Sequence, residues 1–309
     1  VTDAFNSTTV ITRADIESAT VSDLASLLRQ QVGVSIRQTG TQGATAGIAI
    51  RGGEPRHTLV LVDGVPLNSL YTGQAAIEHI PLSLIDRIEV VRGNVSALYG
   101  SQATGGLIQI FTRKITSGSQ ADVRVAFGDK SQRQMSAQVS TGNDKVQLTA
   151  GVAHEYIKAV SAQPSTINNP VNPDKDSYRN NSGNISVRFT PNERNEFGAR
   201  FYQSNGRFNY DGLEYDDSGW YVDPAKSLSS IQYAKTEMQQ FSAYSNNQFT
   251  DRWSSRLNLS SLSDESKDYD IVPGGSATDY YYKTRTQNIS WQNMLDEGLG
   301  QVIAGVSYE

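Results

Sequence analysis

Leu59-Val60-Leu61-Val62-Asp63-Gly64, inside the segment Thr58 to Asn68, is the most apolar run of the chain, and the first half reads outward from it. Four apolar residues in succession have the length of a strand, and the Asp63-Gly64 pair closes it with a turn. Upstream, Ile48 to Arg51 reads as another short strand. Ile16 to Gln31 places Val21, Leu24, Leu27 and Leu28 at helical spacing, which predicts one helix with Thr20 or Ser22 as N-cap and Gly33 as its stop. Downstream, Pro81 to Ile85 starts a short helix after a proline, and Ile88 to Val91 is a strand. Gly105-Gly106 then leads into a partly alternating strand, Leu107 to Thr112. Short helices and strands in mixed order up to Lys114 predict a small α+β domain.

From residue 121 the pattern changes. Val123, Val125 and Phe127 alternate with polar or small residues, as do Met135, Ala137 and Val139, and then Val146, Leu148, Ala150 and Val152. The rhythm returns at Ile185/Val187/Phe189, Phe197/Ala199/Phe201, Trp253/Ser255/Leu257/Leu259 and Val302/Ala304/Val306/Tyr308. Strict alternation puts apolar side chains on one face and polar ones on the other. Roughly nine strands are predicted, each near the length of a tilted transmembrane barrel strand. Short turns at Thr141 to Asp144 and Thr190 to Glu193 alternate with long polar connections at 156–181, 204–236 and 264–282. That layout is the one outer-membrane barrels adopt, and Tyr202, Phe249, Trp253, Tyr280, Tyr281 and Tyr282 are placed to form interfacial girdles. A soluble sandwich would alternate similarly, with its apolar face inward.

Composition narrows the classes. The 309 residues contain no cysteine, which removes disulfides and thiol chemistry, and His57, His79 and His154 are too far apart for a zinc motif. A net charge of -5 gives no basic surface for nucleic acid. No apolar stretch approaches the ~20 residues of a membrane-spanning helix. Neither a phosphate-binding glycine loop nor a nucleophile-elbow motif is present, so the sequence does not read as an enzyme. The Asn-X-Ser/Thr triplets at Asn6, Asn94, Asn184, Asn258 and Asn288 carry no function.

Four ordered segments, Ile48 to Gly53, Thr58 to Asn68, Ile85 to Gly93 (IDRIEVVRG) and Ser96 to Thr112 (SALYGSQATGGLIQIFT), resemble the plug of TonB-dependent outer-membrane receptors. The resemblance implies a plug domain over residues 1–117, followed over 118–309 by antiparallel strands of a transmembrane β-barrel. For the whole barrel the resemblance implies the plugged class of about 22 strands. It also implies residence in the outer membrane of a Gram-negative bacterium, in contact with its lipid, and a TonB energy-coupling complex as partner. Nine strands against that number lead to the expectation of a longer polypeptide, and Val1-Thr2-Asp3 does not read as a coupling box.

Within the family the resemblance is to receptors of the cobalamin type, through Thr12 to Ile16, Arg113-Lys114 and the early loops of the barrel portion. It implies a substrate site at two plug loops, Gln42 to Gly47 and Ser69 to Gln74. Ala44, Thr45, Ala46, Gly47, Ser69, Tyr71 and Thr72 are the candidate ligand-contacting residues there. It further implies a calcium site in which Asp174 and Asp176, two residues apart, are joined by Asp211 and Asp223 from the next loop. Lys158 stands where a further aspartate is expected, and Glu214, Asp216 and Asp217 are either extra ligands or part of an acidic loop. Calcium takes six to eight hard oxygens, which such loops supply. Arg51, Arg87, Glu89 and Arg92 either pair with charges on the barrel's inner wall or are solvated surface charges of the plug. Other members of the family import siderophores, haem or small organic acids, and a passive porin would lack the plug segments.

Overall fold

The structure is a computed structural model that describes residues 7–69, 72–114, 117–158, 161, 165–166, 170–215, 222–272, 278–296 and 300–308. The first half begins with strand β1 (Ser7–Ile11), followed by helices α1 (Arg13–Ser18) and α2 (Leu24–Arg29). The single helix expected over Ile16 to Gln31 is therefore two. Thr12 caps α1 reciprocally with Asp15, its backbone N–H donating to Asp15 Oδ2 at 2.8 Å. Asp23, rather than Thr20 or Ser22, caps α2 by accepting from Ser26 N at 2.8 Å. Gly33 follows in the left-handed region (φ 73°).

Strands β2 (Val34–Gln38) and β3 (Ala46–Ile50) form an antiparallel pair, and β4 (Thr58–Val62) runs into β5 (Val65–Pro66). Asp63 and Gly64 both have positive φ (49° and 87°), the requirement of a tight two-residue hairpin turn. Asp63 turns its carboxylate onto the end of β7 (Gly106–Thr112), accepting from Thr112 N at 3.1 Å and Thr112 Oγ1 at 2.5 Å. With β6 (Ile85–Arg92) these strands make a five-stranded sheet in the order β1-β6-β7-β4-β5, parallel only between β4 and β7. Leu82 to Leu84 form one 3-10 turn in place of the short helix expected from Pro81. One face of the sheet packs Val60, Ile88, Val90, Ile108 and Ile110 against Leu24, Leu27 and Leu28. The other packs Leu59, Leu61 and Leu107 under Val95 and Ala103, beside helix α3 (Ser96–Tyr99).

The second half is one antiparallel meander of nine strands. In order they are β8 (Gly118–Phe127), β9 (Arg133–Gly142), β10 (Val146–Lys158), β11 (Ser177–Asn192), β12 (Asn195–Tyr210), β13 (Ile231–Gln248), β14 (Trp253–Ile271), β15 (Thr278–Asp296) and β16 (Gln301–Tyr308). Helix α4 (Pro224–Ser229) lies in the β12–β13 connection. Strands extend well into the predicted long loops. The segment 264–282 is mostly the paired ends of β14 and β15, with Asp268 opposite Tyr280 and Lys267 opposite Tyr281. Polar residues there suggested a loop, but a strand facing water on both sides has no need of alternation.

The alternation is inverted relative to a soluble sheet. Val123 is 76% exposed and Phe127 73%, and Val139, Val152, Ile185, Val187, Phe241 and Trp291 stand on the same outer face. The buried face carries Gln138, Ser140, Gln147, Thr149, Asn180, Ser182, Gln240 and Ser242. A continuous outward apolar surface of this extent has lipid as its natural solvent. No helix among the described residues is long and apolar enough to cross a membrane. Trp253 and Phe249 pack ring to ring at 4.7 Å beside a short turn, and Tyr280 and Tyr281 are exposed near the other end. Tyr202 leaves the expected girdle: it is buried and faces the plug.

Candidate functional site

The inner face of the wall holds the plug through the segment Ile77 to Ile80, with His79 at its centre. His79 Nε2 lies 2.7 Å from Thr236 Oγ1 on β13, and Nδ1 lies 3.3 Å from the Tyr178 hydroxyl on β11. The hydroxyl of Tyr178 donates to the Glu78 carbonyl at 3.0 Å, so it must accept from His79. The ring is thus the Nδ1–H tautomer, with Nε2 accepting from Thr236. Burial pushes the imidazole down to about 4, which keeps it neutral. The His79 carbonyl accepts from Asn180 Nδ2 at 2.9 Å and from Tyr202 Oη at 3.1 Å. A Cβ at Gly206 of β12 would lie 2.6 Å from the imidazole, so this glycine forms the notch for the ring. Ile77 is fully buried in one cluster with Tyr202, Met238 and Leu262 of the wall.

Glu78, beside it, has Oε2 sealed from solvent. Burial pushes its carboxyl up to about 8, the charge of Asp264 on β14 adds to the push, and backbone N–H groups oppose it. No sequence motif marked this seat. Its residues are a single histidine and ordinary strand residues, and the only signal available was a glycine inside a strand, at Gly206.

Contacts with β8 and β9 are of another kind. Glu17 of α1 meets Arg124 of β8 at 2.8 Å with both side chains about two-fifths exposed, and Gln134 Nε2 donates to Ser22 O at 2.8 Å. Arg113 meets Asp122 at 3.1 Å. Exposed ion pairs contribute ~0–1 kcal/mol, whereas stripping a partner from a buried polar group costs ~1–3 kcal/mol. Among the described residues, Arg87 and Arg92 bond to partners within the plug. Arg87 pairs with Glu89 at 2.9 Å and lies over Phe111, and Arg92 donates to Val32 O and Thr9 Oγ1.

At the end of the wall with long connections, Asp174 and Asp176 precede β11, and Asp211 follows β12. Tyr178 and Phe208 are paired across these strands, so the three aspartates converge, with one oxygen of each within 4.8 Å of the others. Asp176 and Asp211 are buried and Asp174 is exposed. Asn172, Asn209, Tyr210 and Gln232 line the same pocket. Burial and then the charge of Asp211 raise the Asp174 carboxyl, while Lys158 pulls the other way. Ser161 Oγ donates to Asp211 Oδ2 at 2.6 Å. This donor set is all hard oxygen, the chemistry a calcium ion selects.

Asp223 is not part of this cluster. It is the N-cap of α4 and accepts from Ala225 N and Lys226 N at 3.0 and 3.2 Å. Glu214 accepts from Gln232 Nε2 at 2.6 Å, and Asp216 and Asp217 lie outside the described residues.

The two plug loops sit at the same end. Gly43 packs so closely on Tyr178 and Phe208 that a Cβ there would clash with the edge of the Tyr178 ring. Ala44, Ala46 and Gly47 are buried, the last two inside β3, and only Thr45 of this loop's candidates is exposed. Ser69 is buried and Thr72 exposed in a turn closed by Ser69 N to Gln74 O at 2.9 Å. Asn68 braces that turn through the Thr58 and Gly73 carbonyls. Tyr71 lies outside the described residues. The small residues thus serve close packing, leaving Thr45 and Thr72 as the described candidates that face solvent.

Comparisons with known proteins agree with this architecture. The TonB-dependent receptor plug domain family matches residues 1–107. Vitamin B12 transporters BtuB of Vibrio cholerae serotype O1, from strains M66-2 and O395, are 30% identical over 288 residues. The alignment covers 92% of this chain and 44% of the relative, so the chain spans less than half the length of the curated relatives it matches. Among solved structures, the ferric enterobactin receptor PfeA of Pseudomonas aeruginosa superposes with a TM-score of 0.77 at 18% identity, covering 97% of this chain and 48% of that one. The siderophore receptor PiuA of Acinetobacter baumannii gives 0.70 at 16% identity, covering 98% and 45%.

Proposed function

Because the chain belongs to the TonB-dependent outer-membrane receptors, a family of transporters, we propose that the full-length receptor imports cobalamin across the outer membrane, driven by a TonB energy-coupling complex. The observation that carries the ligand assignment is the 30% identity to vitamin B12 transporters over 92% of the chain. Ligand docks at the extracellular end, where the long connections and the plug loops around Thr45 and Thr72 meet. Its binding must favour one arrangement of the plug over another, since a ligand with equal affinity for both states shifts nothing. Asp174, Asp176 and Asp211 hold calcium, whose double charge neutralises the cluster and ties the β10–β11 connection to the β12–β13 connection. Asp223 is left to its cap.

Equilibrium binding of radiolabelled cyanocobalamin to the full-length receptor, with calcium and with chelator, tests this. Tight binding that weakens at least tenfold on chelation is expected, together with uptake that stops when the coupling protein is deleted. Binding of a ferric catecholate siderophore but not of cyanocobalamin would overturn the ligand assignment and leave the family assignment standing.

A further inference from the structure

The plug is held unevenly. On β11, β12 and β13 it is anchored by a largely buried network: the His79 ring between Tyr178 and Thr236, its carbonyl on Asn180 and Tyr202, and Gly206 cut back to receive it. On β8, β9 and β10 it is held by the exposed Glu17–Arg124 pair, the Arg113–Asp122 pair, the Gln134–Ser22 hydrogen bond and one small apolar contact, where Ala153 joins the plug core and Leu84 lies beside Gly151. A cavity of about 90 Å³ already lies in this second seam, lined by Ile16, Glu17, Val21, Arg124, Gln134 and Glu155 among others. Helices α1 and α2 border the seam and precede His79 in the chain, so tension applied from the N-terminal side reaches them first.

We propose that His79 is a positioning residue that pins the plug to β11–β13 throughout transport, and that ligand passes through the adjoining seam between α1–α2 and β8–β10. This rests on the transport reading above. Exposed ion pairs re-form with water when they part, so the seam opens and closes at little cost. The anchor exchanges less readily, because the buried His79 ring and carbonyl take their partners from wall side chains and are left unpaired where plug and wall separate without water entering. The plug therefore swings or loosens about a fixed point and does not leave the barrel as one body.

These 309 residues contain no cysteine, and any cysteine elsewhere in the receptor is first replaced by serine, so introduced thiol pairs report cleanly. In the full-length receptor, His79→Cys with Gly206→Cys bridges the anchor, and Glu17→Cys with Arg124→Cys bridges the seam, each through a short bis-maleimide. His79→Cys with Thr236→Cys gives a second anchor bridge in case the first disturbs folding. Binding of radiolabelled cyanocobalamin and energised uptake are measured separately. All bridged receptors are expected to bind at the unbridged level. The anchor bridges keep at least half of the uptake, and the seam bridge lowers it at least tenfold. Anchor bridges that block uptake as fully as the seam bridge, or a seam bridge that leaves uptake intact, would overturn the proposal. An unbridged receptor that imports neither cyanocobalamin nor a ferric catecholate overturns the transport reading itself, and this inference with it.

Discussion

Glu78 and His79 are chain neighbours that respond oppositely to the same burial. The carboxyl rises from 4.5 to about 8, so it contributes stability that is complete below 4.5 and is lost as pH rises toward 8. The imidazole falls from 6.5 to about 4, so its contribution is complete above 6.5 and is lost as pH falls toward 4. Between pH 6.5 and 8 the His79 ring is neutral, so of this pair only Glu78 titrates, and comparison with a variant at that one position isolates it. Glu78→Gln keeps the shape and removes the charge. Its stability gain over the parent is expected to grow by ~1.4 kcal/mol per pH unit across that window, read from plug melting in the purified receptor. A pH-independent difference would show that the carboxyl is not held protonated. A second contrast belongs to the aspartates. Asp211→Asn is expected to weaken calcium binding at least tenfold by isothermal titration. Asp223→Ala leaves calcium affinity unchanged and costs ~1 kcal/mol through the lost cap of α4. Equal loss of affinity in both variants would return Asp223 to the cation site.

At the scale of elements, each wall strand is decided by which of its faces meets lipid. Val187, midway along β11, points outward between the paired Leu148 and Ala199, while Ser186 next to it lines the inner pocket beside Gln147 and Thr149. Val187→Arg is expected to destabilise the inserted barrel by ~2–4 kcal/mol, measured by urea unfolding in lipid vesicles. Ser186→Thr on the inner face should fall within the ±0.5 kcal/mol of an ordinary surface change. The strands were legible in the sequence because alternation is a local property, and so was the Asp63-Gly64 turn, whose residue types state their backbone angles. The break between α1 and α2 was less so: Val21 keeps the helical spacing, and only the capping strength of Asp23 separates the two. The seat of His79 was not legible at all. Tyr178, Tyr202 and Thr236 lie about a hundred residues or more from it in sequence, and nothing local marks side chains that meet through a register. The aspartates were half legible. Asp174 and Asp176 stand together by spacing, but Asp211 joins them, and Asp223 does not, because of where β12 ends and α4 begins.

For the whole molecule, plug and wall are each incomplete in water. The plug has a core of its own, yet part of that core is Tyr202, Met238 and Leu262 of the wall. The full-length barrel without residues 1–114 is therefore expected to insert and to pass small solutes, while the intact receptor stays closed in planar bilayers. Equal conductance of the two would mean that the plug does not seal the lumen. The inverted wall has a further consequence for how such a chain travels. Before it reaches a bilayer, the wall is a set of ribbons with apolar residues on alternate positions of one edge, as at Val123, Val125 and Phe127 on β8 and Ile185, Val187 and Phe189 on β11. Synthesis delivers these ribbons one after another into water, where they would sooner adhere to copies of themselves than wait. The safe passage of this protein to its membrane is thus a matter of timing, since extended, alternately apolar chain has to be kept apart from its copies until lipid covers it.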